Sequence, residues 1–187
     1  MTSAVISQRA LPRSAVVSVL LVVAAAALTA LAAQWRIHLP FTPVPITGQT
    51  FAVLLTGAAL GWKLGGTGQG LYVAVGALGA PVFTDGSSGV EVITGATGGY
   101  IIGFVFAAAL VGWMAEHRQD RTFATMFTAF ILGSAIIYGF GVTGLMLAED
   151  VSGTAAVETG VVPFLLGDII KAAGAGVLLP GAWKLLE

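Results

Sequence analysis

From Val16 to Ala33 the chain carries no charged side chain and only two hydroxyls, Ser18 and Thr29. A stretch of roughly 20 apolar residues is what a helix needs to cross the hydrocarbon of a bilayer. Inside lipid only helices and closed barrels satisfy every backbone polar group. A barrel would show segments of about ten residues with alternating polarity. Neither Val16 to Ala33 nor the run from Ile101 to Met114 alternates, so helices are expected. Charged residues make up 9 % of the chain, against about a quarter in soluble domains. Such a chain cannot cover its own surface with polar groups, and lipid is its natural solvent.

With 187 residues, six spans and short connections use nearly the whole chain. The apolar segments fall at about 14–33, 46–62, 64–78, 97–114, 123–147 and 161–185. The expected fold is an all-α membrane protein of six transmembrane helices, residues 1–187 forming one substrate-binding domain. Lys and Arg in alternate loops set orientation. Arg9, Arg13, Lys63, Arg118, Arg121 and Lys184 fall on one side and Arg36 alone on the other. The cation-rich side is expected to face the cytoplasm, together with both termini. Arg9 and Arg13 followed by an apolar run and Ala30-Leu31-Ala32 also resemble a cleavable secretory signal. The run is longer than a usual signal core, so a retained helix is the expectation, although charge counting alone does not separate the two.

Several function classes drop out. The net charge of −1 offers no basic stripe for nucleic acid. The chain has no cysteine, which removes disulfides and thiolate chemistry. His38 and His117 are far apart with no partner at metal-ligand spacing, so no metal site is expected. Gly65-Gly66-Thr67-Gly68-Gln69-Gly70 is not followed by Gly-Lys-Ser/Thr, and reads as a tight turn with close helix packing rather than a phosphate cradle. No ATP-binding signature is present, so ATP-driven transport requires another subunit. Ser87 and Ser88 lack a credible histidine base, and no catalytic residue or cofactor is assigned.

The chemistry concentrates in Gly167-Asp168-Ile169-Ile170-Lys171. An Asp or Lys at a helix centre costs about 2.5–3.5 kcal/mol on insertion scales. At i and i+3 the two side chains share a helix face. One reading is an ion pair that neutralises itself. The other is a site for a small polar ligand, with Asp168 accepting from N–H groups and Lys171 meeting an acceptor. Counting seven residues from Val161 places Asp168 roughly 10 Å into the last span. The starts of the second and fourth spans reach the same membrane side. They carry Thr47, Gly48, Gln49 and Thr50, and Thr97, Gly98, Gly99 and Tyr100. Helix N-termini offer unpaired N–H groups to an anion. Gln49 both donates and accepts, and Tyr100 has an apolar ring and a hydroxyl. Gln49 and its threonines also suit a simple helix cap, and Gly98-Gly99 a simple packing site. In the first span, Ala26 and Ala30 lie four apart with Ala25, Thr29 and Ala33 alongside, which suits close helix approach.

These motifs together resemble the BioY family of biotin transporters. The resemblance is carried by Phe41-Thr42-Pro43-Val44-Pro45-Ile46-Thr47-Gly48-Gln49-Thr50, Ala80-Pro81-Val82-Phe83, Thr97-Gly98-Gly99-Tyr100-Ile101-Ile102-Gly103-Phe104 and Gly167-Asp168-Ile169-Ile170-Lys171. It implies the substrate-specific S component of an energy-coupling-factor transporter in the cytoplasmic membrane. Such a component binds biotin from outside and works with a transmembrane coupling subunit and a pair of cytoplasmic ATPases. The resemblance maps coupling-subunit docking onto Ala26 and Ala30. It implies Asp168, Lys171, Gln49, Thr47, Gly98, Gly99 and Tyr100 as the substrate site, with Asp168 suited to the ureido N–H groups of biotin. Leu166 and Ala96 stand where proline is expected in many relatives, and Asp85 places a charge in the third loop. An S component for another small vitamin and an intramembrane enzyme using Asp168 are the competing readings.

Overall fold

The computed structural model describes residues 5–12 and 14–186. Of the cations counted for orientation, Arg13 lies outside the described residues. A short helix α1 (Ile6–Ala10) precedes α2 (Ala15–Ala33), whose first turn is capped by Ser14 accepting from the Val17 N–H at 3.1 Å. A two-strand hairpin follows, β1 (Arg36–Ile37) antiparallel to β2 (Ile46–Thr47), with Arg36 opposite Thr47. Then come α3 (Gln49–Ala77), a 3-10 turn (Thr84–Gly86), α4 (Val90–Thr94), α5 (Gly98–Glu116) and α6 (Phe123–Glu149). The chain ends with α7 (Gly153–Gly160), a 3-10 turn (Val162–Phe164) and α8 (Leu165–Leu186).

α3 is two rods rather than one. Gly61 sits at φ 83° and ψ 172°, a region open essentially to glycine alone. A straight helix would separate Gln49 and Tyr72 by about 35 Å. Instead the Gln49 amide donates to the Tyr72 hydroxyl at 2.8 Å. The chain therefore folds back at Gly61, and the arms 49–60 and 62–77 run antiparallel, as the expected spans 46–62 and 64–78 require. The arms touch backbone to backbone. A methyl added at Gly65 would come within 2.8 Å of the Gly57 Cα.

α5 packs across both arms, with Ala108 against Gly57 and Ala109 against Gly66. α6 lies beside α5 and α8 beside α6. α2 lies against the second arm of α3, where Thr29 donates to Gln69 at 3.1 Å and Gln69 donates to Thr56 at 3.1 Å. All three are buried, so this chain of amides and hydroxyls ties α2 to both arms with its polar groups satisfied. The small face of α2 is engaged here: Ala25, Thr29 and Ala33 are buried against α3, with Ala26 and Ala30 half-buried at its margin.

Two ends result. At one, the Gly61 fold-back meets Gly112 and the Glu116 carboxylate, which accepts from the Trp62 N–H at 3.3 Å. The 117–122 turn and the end of α8 close the same end. There the Trp183 indole donates to Asp120 at 2.5 Å, and the Arg121 guanidinium lies 3.2 Å over the Trp183 ring. Burial pushes the Asp120 carboxyl above the usual carboxylate range, opposed by its bonds to Trp183 and Arg121. The other end gathers the hairpin, the 79–97 segment and α7.

Among the described residues, four stretches are long and apolar enough to cross a membrane: Ala15–Ala33, Gly98–Glu116, Phe123–Glu149 and Gly153–Leu186. α3 is not among them, because Gln49, Lys63, Gln69 and its glycines dilute its apolar residues.

Candidate ligand-binding site

A cavity opens at the end that holds the hairpin. The hairpin contributes Val44, Pro45 and Thr47, the first arm of α3 Gln49 and Thr50, and the 79–89 segment Phe83, Thr84 and Ser87. Val92 of α4, Thr97 just before α5, Tyr100, Ile101 and Phe104 of α5, Ile137 and Tyr138 of α6, Phe164, and Asp168 and Lys171 of α8 complete it. The wall is largely apolar with a few convergent polar groups, the usual make-up of a small-molecule site.

Asp168 lies in the first turn of α8, not two turns into the last span as counting from Val161 gave. The chain between Val161 and Leu165 is taken up by the end of α7 and a 3-10 turn. The shift changes the electrostatics, because a carboxylate in the first turn faces the positive end of the helix dipole. The side chain is 7 % exposed. Its Oδ2 accepts from the Tyr138 hydroxyl at 2.6 Å. Its Oδ1 accepts from the Thr50 hydroxyl at 3.2 Å and from Lys171 at 2.9 Å.

Lys171 donates also to the Thr50 hydroxyl at 2.7 Å and to the Thr47 carbonyl at 3.0 Å. An ammonium has three N–H groups, and here each meets a protein acceptor. A carboxylate has about four lone-pair positions, of which the protein fills three. The unfilled acceptor capacity is on Oδ2 of Asp168, the atom shared with Tyr138.

Gln49 is buried beside this cluster. Its carbonyl accepts from the hydroxyls of Thr47 at 3.0 Å and Thr84 at 3.3 Å, while its amide holds Tyr72. Tyr100 presents its ring to the cavity and donates its hydroxyl to the Gly160 carbonyl at 2.8 Å, which fixes the end of α7. Asp168, Lys171, Gln49, Thr47 and Tyr100 are thus brought together. Gly98 and Gly99 stand outside the lining. Gly98 packs against the Ile93 carbonyl, and Gly99 against Phe140 and Gly144 of α6. Both approach neighbouring backbone closely, as the packing alternative in the sequence also allowed. Tyr138 was not anticipated, although a tyrosine inside an apolar run invites the same question as Asp168. Among the described residues no group of His, Cys, Asp and Glu is placed to hold a metal ion.

Fold and site define a multi-pass helical membrane protein with a small, largely apolar ligand chamber at one end, holding one carboxylate and its counter-ion. The BioY family model matches residues 5–187, and the chain belongs to that family. Among curated relatives, the biotin transporter BioY of Thermotoga maritima is 38 % identical over 76 % of this chain and 82 % of its own length. The biotin transporter BioY of Rhizobium etli is 33 % identical over 82 % and 86 %. A crystal structure of the S-component for biotin from an ECF-type ABC transporter superposes with a TM-score of 0.81. It is 25 % identical and covers 90 % of this chain and 92 % of that one. The family consists of transporter components, not enzymes.

Proposed function

We propose that this chain captures biotin as the substrate-specific component of an energy-coupling-factor transporter of the cytoplasmic membrane. The carrying observation is the Asp168 carboxylate, buried, held in direction by Thr50, Tyr138 and Lys171, with an acceptor position still open to the cavity. Biotin offers a ureido ring with two N–H donors and a carbonyl, an apolar sulfur ring and a valerate tail. The open position on Asp168 suits a ureido N–H, and Ile101, Phe104, Ile137 and Phe164 suit the apolar parts. In this reading the two arms of α3 cross the membrane together with the four long apolar stretches, giving six spans with both termini cytoplasmic. Energy comes from a coupling subunit and its ATPases, docked along the margin of α2 that carries Ala26 and Ala30.

The test is mass spectrometry of small molecules that co-purify with the chain, followed by radiolabelled biotin binding. Retained biotin is expected. Asp168→Asn weakens a hydrogen bond to a charged acceptor, about 1.5–3 kcal/mol, so it is expected to weaken binding by about 10- to 100-fold. Unchanged affinity in that variant overturns the site, and retention of a different vitamin overturns the substrate.

A further inference from the structure

Two non-helical segments close the cavity. One is the β1–β2 hairpin, which contributes Val44, Pro45 and Thr47. The other is the cap segment 79–89, which contributes Phe83, Thr84 and Ser87. The rest of the wall comes from α3, α4, α5, α6 and α8, with Thr97 and Phe164 at helix starts, so separating these two segments is the least costly opening, because segments with few backbone ladders open first. Side chains join them. At the end of α2, just before the hairpin, the Gln34 amide donates to the Phe83 carbonyl at 3.1 Å. The Arg36 guanidinium forms an ion pair with Asp85, and His38 Nε2 lies 3.1 Å from the other Asp85 oxygen. Asp85 is held at φ 63° and ψ 20°, a left-handed conformation that Asp and Asn tolerate better than most residues.

We propose that Arg36 and His38 on the hairpin and Asp85 on the cap form an ionic latch that sets how fast ligand enters and leaves the cavity. None of the three latch residues lines the cavity. It adds to both the closed free state and the closed bound state, so it slows entrance and exit by similar factors and leaves the dissociation constant nearly unchanged. Its contacts are partly exposed, with side chains between 35 % and 60 % accessible. Such pairs are weak and salt-sensitive, which makes the latch a tuning device rather than a lock.

The exchange part of the test rests on the biotin reading, and the labelling part does not. The chain has no cysteine, so Ser87→Cys introduces one thiol on the cavity face of the cap. With the full chain in proteoliposomes, Asp85→Asn is expected to speed modification of that thiol by a methanethiosulfonate reagent about fivefold. Arg36→Gln is expected to speed it less, because His38 still faces Asp85, and the double variant no more than Asp85→Asn alone, because that substitution already removes both contacts. Higher salt is expected to speed the latched protein and to leave Asp85→Asn unchanged. Radiolabelled biotin is expected to exchange faster in both directions in each variant. Unchanged modification rates, or additive effects of the two substitutions, overturn the latch. Accelerated labelling in a protein that binds no biotin upholds the latch and overturns the substrate reading instead.

Discussion

Asp168 and Lys171 look interchangeable as ligand-binding charges until their bonds are counted. All three donors of Lys171 meet Thr47, Thr50 and Asp168. Its first task is therefore to pair with Asp168 in a poorly hydrated place, where a charge without a partner is costly. Tyr138 has the matching role on the other oxygen, where its donated hydrogen bond leaves one direction free. A hydrogen bond to a charged group contributes about 1.5–3 kcal/mol. Tyr138→Phe keeps the ring and removes the donor, so biotin affinity is expected to fall about 10- to 100-fold while the protein still folds. Calorimetric titration beside a thermal melt checks this. A wild-type affinity would mean that Asp168 is oriented by α3 and α8 alone. Thr50 is expected to matter at least as much, because it bonds both charges.

At the scale of elements, Gly61 decides the fold. Any L-residue there is strained by about 1–3 kcal/mol, and the first of the arms it joins carries Gln49 and Thr50 to the site. Gly61→Ala is expected to lower the melting temperature in detergent and to weaken biotin binding together with it; an unchanged melt would place the fold-back's stability elsewhere. The helices were legible in the sequence because each is a charge-poor run, and α5 and α6 begin within a residue of where the runs begin. The break between the second and third spans was legible as Trp62 and Lys63 in apolar surroundings. The hairpin, α4 and α7 were not, because elements of two to eight residues leave no periodicity to read. The same limit explains the misplacement of Asp168: the helix start was set by hydrophobicity at Val161, while Pro163 and the 3-10 turn postpone α8 to Leu165. Gly98 and Gly99 show why glycine is ambiguous in sequence. It permits close approach to a ligand or to a neighbouring helix alike, and the contacts of Gly98 with Ile93 and of Gly99 with α6 could not be read from the chain. Tyr138 went unread because Ile137 and Gly139 beside it have nothing polar to mark a site.

For the whole molecule, the question is which end faces which compartment. The fold-back at Gly61 with Lys63, the turn with Arg118 and Arg121, and the end of α8 with Lys184 meet at one end. The cavity, Arg36 and the acids Asp85, Glu149, Asp150 and Glu158 belong to the other. Cations near span ends are retained in the cytoplasm, so the proposed orientation turns the cavity outward, where an importer first meets its substrate. The exposed positions Lys63 and Glu158 sample the two ends in a chain that has no cysteine of its own. In intact cells a membrane-impermeant thiol reagent is expected to label Glu158→Cys and to reach Lys63→Cys only after permeabilisation. The reverse pattern would place the cavity on the cytoplasmic side, and capture from outside would fail with it whatever the site's affinity. Labelling of both in intact cells would mean that the α3 arms do not hold Lys63 across the membrane. That outcome bears most on the six-span arrangement, because those arms are the shortest of its rods.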